Sequence, residues 1–302
     1  PAYAPWASRF APLVNLAQRL PGVSHAIRAA AGFDGRRPLP AFSARPWLAG
    51  QPRDEPKGER VAVLLADTFN NHFEPANLAA ARRVMEAAGF AVVAARAKDS
   101  RPLCCGRTYL SAGMVDRAKA ESARVLDALA PWVEQGIPVV GLEPSCLYTL
   151  KDEFLALHPA DSRAKALADL AVTFDSFMAG ALRAGAKPAW KAGPAPEYLV
   201  HGHCHQKAFG AFEDTLAMLR AVPGAKVSAI ESSCCGMAGS FGHEHYDESM
   251  AMGEASLLPA VRAAGPAIIV VAAGTSCRHQ VAHGASREAV HPAVALAAAL
   301  EP

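Results

Sequence analysis

The residues best equipped for chemistry in this 302-residue chain are its seven cysteines: Cys104, Cys105, Cys146, Cys204, Cys234, Cys235 and Cys277. Four of them form adjacent pairs, each followed by glycine, as Cys104-Cys105-Gly106 and Cys234-Cys235-Gly236. An odd number excludes complete disulfide pairing, and vicinal cysteines rarely reach relaxed disulfide geometry. No secretory signal opens the chain, so a reducing compartment and thiolate ligation are expected. Thiolates are soft donors that select iron–sulfur clusters or zinc. No CxxC knuckle occurs, and the separations are wide, 30 residues from Cys204 to Cys234 and 42 from Cys235 to Cys277. Such spacing fits ligands gathered by a fold, and an adjacent pair suits a polynuclear centre.

The candidate metal ligands are therefore Cys204, Cys234, Cys235 and Cys277. A weaker second set comprises Cys104, Cys105, Cys146 and Asp67, the aspartate falling near the place of the missing fourth thiol. Gly236 and Gly239, in "CCGMAGSFG", can take positive φ and let a bulky anionic centre approach backbone N–H groups. His203 and His205 flank Cys204, and His243 follows the second pair. Each histidine could be a ligand, a proton carrier or a hydrogen-bond partner of a thiolate. Asn70, Asn71 and His72 make a polar run beside Asp67, a candidate contact for a substrate or acceptor. A thiol enzyme with Cys234 or Cys235 as nucleophile also stays open at this point.

These residues need elements to hold them. "VAVLLA" (61–66), "AVVAA" (91–95) and "IPVVGL" (137–142) predict buried strands separated by helical periodicity. The order repeats as "EYLVHG" (197–202), "AKVSAI" (225–230) and "AIIVVAAG" (267–274). The repeat sets Cys234-Cys235 over Cys104-Cys105 at an offset of 130, Cys277 over Cys146 at 131, and Cys204 near Asp67 at 137. The fold expected is α/β: tandem duplicated three-layer units with mostly parallel sheets. Every cysteine lies just past the C-terminal end of a predicted strand, the edge at which open parallel sheets bind ligands. Residues 1–60, rich in Pro, Arg and Ala, read as a linker or arm with an amphipathic helix near Arg9–Leu20. The first unit is expected over 61–190, with connecting helices at 151–190, and the second over 191–302.

Composition narrows the function classes. The chain is 51% hydrophobic and 19% charged with a net charge of only +2, which gives nucleic-acid binding little support. Its apolar runs fall well short of the roughly 20 residues that span a bilayer. A cytoplasmic protein is expected, at most peripheral at the inner face of the membrane. The start without Met suggests a piece of something larger.

The cysteine order Cys204, Cys234-Cys235-Gly236, Cys277, preceded by Cys104-Cys105-Gly106, Cys146, resembles the cysteine-rich CCG domain of heterodisulfide reductase B subunits and glycolate oxidase iron–sulfur subunits. The strings "LLADTFNNHFEPANLAAARRVMEAAGF", "GLEPSCLYTLKDEF", "HGHCHQKA" and "GTSCRHQ" are similar to the C-terminal third of FAD-linked 2-hydroxyacid dehydrogenases of the D-lactate and D-2-hydroxyglutarate type. The resemblance covers about residues 58–285. It implies electron handling: an iron–sulfur centre, with [4Fe–4S] the expected type, receives electrons from flavin and passes them to a quinone or another redox protein. FAD is then expected in a partner or a preceding domain. A zinc-stabilised docking module without redox activity is the alternative. The chain departs from the pattern at Asp67-Thr68-Phe69 and at Gln280, where a further cysteine of a five-thiol centre would stand. It also lacks a closely spaced four-cysteine ferredoxin run.

Overall fold

A computed structural model describes residues 2–52, 58–99 and 101–301. Two four-stranded sheets, every pairing parallel, form the frame. The first contains β1 (Val61–Leu65), β2 (Ala91–Ala94), β3 (Val139–Gly141) and β4 (Ala171–Thr173), in the order β2-β1-β3-β4. The second contains β5 (Glu197–His201), β6 (Lys226–Ala229), β7 (Ile269–Ala272) and β8 (Ala289–Val290), in the order β6-β5-β7-β8. Identical strand order and pairing make these two copies of one unit. The six strands expected from apolar runs are present. The outer strands β4 and β8 are additions, and β4 lies inside the stretch expected to be connecting helices. Three and two residues are too few to carry a periodicity against flanking helices.

Alternation along the strands divides the core in two directions. Leu64, Tyr198, Val200 and Val271 point into one core that both copies share, with Leu78, Phe174 and Leu296 from the covering helices. Val63, Leu65 and Val139 face an outer core with Val125, Leu129 and Leu147. Val270 and Ala272 face another with Leu257, Leu258 and Val281. The cysteines sit at the edges of the outer cores: Cys105 and Cys146 in one, Cys235 and Cys277 in the other.

The N-terminal arm is more helical than expected, with helices Ala4–Arg9, Ala11–Arg19 and Pro21–Ala31. It grips both copies. Ser8 Oγ hydrogen-bonds His72 Nδ1 at 2.9 Å, and the backbone N–H of Leu48 donates to Asn71 Oδ1 at 2.8 Å. On the second copy, the buried Arg37 donates to Gly242 O and Gln280 Oε1, both at 2.7 Å, and to Ser249 Oγ at 3.1 Å. Tyr3, Trp6, Leu13 and Leu16 are more than half exposed on this arm. Among the described residues no helix is long and apolar enough to cross a membrane.

Candidate metal centre

In the second copy three strand ends deliver the donors. After β5, His203 caps the helix Cys204–Ala208: its Nδ1 accepts from the His205 N–H at 3.2 Å, and Gln206 Oε1 accepts from the His203 N–H at 3.2 Å. Gln206 is itself anchored by donating to Asp175 Oδ2 at 2.8 Å, so Cys204 stands on a fixed first turn. Cys234 and Cys235 occupy the loop after β6, and Cys277 lies in the first turn of the helix Thr275–Ala285 after β7. The sulfurs form a row of contacts, Cys204 to Cys234 to Cys235 to Cys277. Protons are shared unequally along it. The Cys204 and Cys235 thiols are pushed up, first by hydrogen bonding to Cys234. The Cys234 thiol is pulled down by Cys204 and Cys235, and Cys277 by Cys235 and more weakly by His201 and His203. Four crowded thiols that compete for protons are what a metal cation relieves, because binding replaces protons on its ligands.

Gly236 adopts φ +84° and its N–H donates to Cys234 Sγ at 3.4 Å. A Cβ there would stand 2.4 Å from Ser249 O, so this glycine is required by a left-handed turn pressed onto the helix Tyr246–Glu254. Gly239, at φ +56°, lies in open loop on the cavity wall.

Sequence reasoning passed over one residue of this site. His201 ends β5, and its imidazole lies with the Cys235 and Cys277 sulfurs, the three donor atoms all within 4.8 Å of one another. The signal was available: Leu199 and His201 alternate with Tyr198 and Val200, so a polar residue occupies an inward position of a buried strand. The donor set, four thiols and an imidazole, fits an iron–sulfur centre or zinc.

The first copy repeats the scaffold with fewer donors. Cys104, Cys105 and Cys146 occupy the corresponding loop and helix, Pro144–Lys151, and Gly106 repeats the turn at φ +80° with its N–H 3.4 Å from Cys104 Sγ. Register aligns the central strands: Leu65 pairs with Gly141 as His201 pairs with Ala272. Asp67 thereby falls on His203, and Thr68 on Cys204, one residue away from the alignment expected from sequence. Asp67 is the N-cap of the helix Thr68–His72, Oδ1 accepting from the N–H groups of Phe69 at 2.9 Å and Asn70 at 3.0 Å, and Oδ2 from Asn70 Nδ2 at 2.7 Å. Burial, then the charge of Glu143, raises its carboxyl to about 6. Both its oxygens are engaged, Oδ1 in capping and Oδ2 with the Asn70 side chain. The Thr68 hydroxyl hydrogen-bonds Cys104. Hydrogen bonding from Cys105 pulls the Cys146 thiol down, but burial and the charges of Asp67 and Glu143 outweigh it and push the thiol up to about 12. Asn71 and His72 are buried against the arm, and Asn70 is bonded to Asp67 and Asn77, which leaves this polar run in structural contacts.

Both cysteine sets open onto one cavity of about 610 Å³, lined by Cys104, Cys105, Cys146, Cys204, Cys234 and Cys235. The arm walls it with Phe33, Leu39, Pro40 and Phe42. His203, His205 and His243 also face it. Arg107, which follows Gly106, brings Nη2 to 3.4 Å from His205 Nε2, and the pKa of that imidazole is lowered to about 4, chiefly by burial. His243 is likewise lowered to about 4 by burial, with its ring centroid 5.2 Å from that of Phe33. Glu143 ties the copies together, its Oε2 accepting from the Thr275 N–H at 2.8 Å.

This duplicated geometry agrees with comparison to known proteins. The model of the CCG cysteine-rich domain matches residues 66–151 and again 198–282, more than half of the chain. The C subunit of the anaerobic glycerol-3-phosphate dehydrogenase of Escherichia coli (strain K12) is 29% identical over 298 residues, which covers 96% of this chain and 73% of that protein. The D-2-hydroxyglutarate dehydrogenases of Escherichia coli (strain K12) and Pseudomonas putida are each 27% identical over 78% of this chain, and the match spans 22% of those larger proteins. The chain belongs to the CCG cysteine-rich domain family and carries that domain twice.

Proposed function

We propose that this chain is an iron–sulfur-binding electron-transfer module of an FAD-linked 2-hydroxyacid oxidoreductase, passing electrons from flavin toward an acceptor. The observation that carries the reading is the row of contacting thiols Cys204, Cys234, Cys235 and Cys277 at one sheet edge. Sulfur donors of that number hold a [4Fe–4S] cluster. Similarity along nearly the whole chain to one subunit of an anaerobic dehydrogenase supports a separate polypeptide that works beside a flavin-bearing partner. Similarity to D-2-hydroxyglutarate dehydrogenases supports a 2-hydroxy acid as the compound the partner oxidises. FAD belongs to that partner or to a preceding domain, and the acceptor is a quinone or another redox protein. The exposed apolar residues of the arm support a location in the cytoplasm at the inner face of the membrane.

One observation favours a second reading. The compact group His201, Cys235 and Cys277 also suits zinc, which binds mixed imidazole and thiolate sets. The chain would then be a zinc-stabilised docking module without redox activity. Anaerobic purification with metal analysis separates the two. Iron with matching sulfide and brown absorption bleached by dithionite is the expected result; colourless protein holding stoichiometric zinc would overturn it.

A further inference from the structure

His201 is a buried polar group that the cysteine site alone does not account for. It is 1% exposed, and its Nε2 makes no well-formed hydrogen bond among the described residues, the ring's remaining contact being with the Cys277 thiol. A polar atom buried without a good partner is costly, so it calls for a cause. Its other nitrogen is well held: Nδ1 lies 2.8 Å from Ser232 Oγ. The Ser232 hydroxyl can point its proton at Ile230 O, 3.5 Å away, which leaves Oγ to accept Nδ1–H. Lys207 Nζ donates to the Ser232 carbonyl and pins that residue. The proton on Nδ1 leaves Nε2 as a bare lone pair, and the imidazole lies with the Cys235 and Cys277 sulfurs, one donor atom from each of the three residues within 4.8 Å of the others. An imidazole oriented through Nδ1–H by an outer oxygen, with Nε2 free toward a group of thiolates, is the arrangement in which histidine binds metal.

We infer that Nε2 of His201 is a nitrogen ligand of the iron–sulfur centre of the second copy, and that Ser232 is the positioning residue that aims it. The inference rests on the electron-transfer reading above and puts an imidazole in place of one of its four thiolates. It also separates the two copies. The first copy carries Leu65 at the register position of His201, so any centre held by Cys104, Cys105 and Cys146 has no imidazole at this place. Replacing thiolate by imidazole raises the potential of an iron–sulfur centre.

The test is pulsed electron paramagnetic resonance on the full chain, reconstituted anaerobically with iron and sulfide and reduced with dithionite. Samples carry histidine labelled with ¹⁵N or left at natural abundance. Wild type is expected to show a directly coordinated nitrogen that changes with the label. His201→Leu, which installs the residue found in the first copy, should keep iron and lose that coupling. Its midpoint potential should fall. His201→Cys guards against a folding defect in the leucine variant, since it supplies sulfur at the same strand position; it should hold iron and show no nitrogen coupling. Ser232→Ala should keep the coupling but weaken or broaden it. Iron bound to wild type without a label-dependent coupling, or a coupling unchanged in both His201 variants, overturns the inference alone. Protein that takes up no iron under these conditions overturns the electron-transfer reading and the inference with it.

Discussion

The two copies share a scaffold and differ in what it presents. β1 and β5 each end at the same register position, yet one ends in Leu65 and the other in His201. Two residues on, Asp67 and His203 both cap a five-residue helix, and the next position is Thr68 in one and Cys204 in the other. The vicinal cysteines and their glycine are the same in both. The geometry of a CCG turn is thus separable from its ligand count. Gly106 and Gly236 keep left-handed φ and a thiol contact whether three sulfurs gather or four. The pair of differences Thr68-to-Cys204 and Leu65-to-His201 is what gives the second copy more soft donors than the first. The contrast recurs beside the cavity. Glu143 reaches from the first copy to the Thr275 N–H, and its counterpart Gly274 leaves room for the His203 ring, which a Cβ there would meet at 2.5 Å.

The largest expected effect is loss of metal from one copy alone. Cys235→Ser removes the sulfur that touches both Cys234 and Cys277, and it should abolish iron binding by the second copy. Cys105→Ser should leave that iron in place. Iron and sulfide analysis of both variants checks this. If either substitution emptied both copies, the cavity between them would hold one shared centre, and the comparison of two sites would be wrong.

A gain is the next test. Thr68→Cys combined with Leu65→His gives the first copy the donors of the second. Leu65 is buried in the outer core, so the imidazole should cost about 2 kcal/mol of stability unless a metal takes it. We expect the doubly substituted chain to bind additional iron and to recover most of that loss on loading, measured as a shift in melting temperature between apo and loaded protein. No added iron would mean that the scaffold around β1 differs in more than these two side chains.

Most of what frames the site could be read from residue order. Apolar runs marked six of the eight strands, and the cysteines fell past their C-terminal ends. The missing parts share a physical cause: each depends on partners far apart in sequence. β4 and β8 are too short to signal themselves and exist because β3 and β7 offer an edge. Arg37 sits in a Pro- and Arg-rich arm that reads as solvated, yet it is buried by Gly242, Ser249 and Gln280, more than 200 residues away. The shared core was invisible for another reason: parallel strands are apolar on both faces, so neither face announces which one meets the other copy. His201 was legible in principle from alternation, but its neighbours His203 and His205 drew attention from it.

The turn glycines allow a finer comparison. A Cβ at Gly236 would lie 2.4 Å from Ser249 O, and one at Gly106 would lie 2.9 Å from Ala118 O. Both substitutions to alanine also force a left-handed residue, which costs roughly 1–2 kcal/mol before any clash. Gly236→Ala should therefore destabilise by about 3–4 kcal/mol and Gly106→Ala by about 2–3 kcal/mol, read from urea unfolding. Equal losses would show that the helix beneath Gly236 shifts more readily than the one beneath Gly106.

The smallest effect concerns the caps at the ends of β4 and β8. Thr173 caps the helix Phe174–Arg183 in the first copy, and His291 caps Pro292–Ala298 in the second. His291 is fully buried, with Nδ1 accepting from the Ala293 N–H at 3.0 Å and Nε2 3.2 Å from Leu142 O. Burial lowers its pKa to about 3 from 6.5, so the folded chain holds it neutral while the unfolded chain protonates it. The stability this supplies is complete above pH 6.5 and is lost as pH falls from 6.5 toward 3, at up to about 1.4 kcal/mol per pH unit. His291→Thr, which copies the cap of the first unit, keeps the acceptor for the Ala293 N–H and removes the titration. It gives up the contact with Leu142 and should lose about 1 kcal/mol at pH 7.5. Between pH 6.5 and 5 its stability should fall less steeply than that of wild type. The slope should not vanish, because His72, lowered to about 4 by burial, titrates with the same sign. Urea unfolding at stepped pH measures both slopes; parallel curves would mean that His291 takes up its proton in the folded chain at the same pH as in the unfolded one, and that the two caps differ in identity but not in their response to acid.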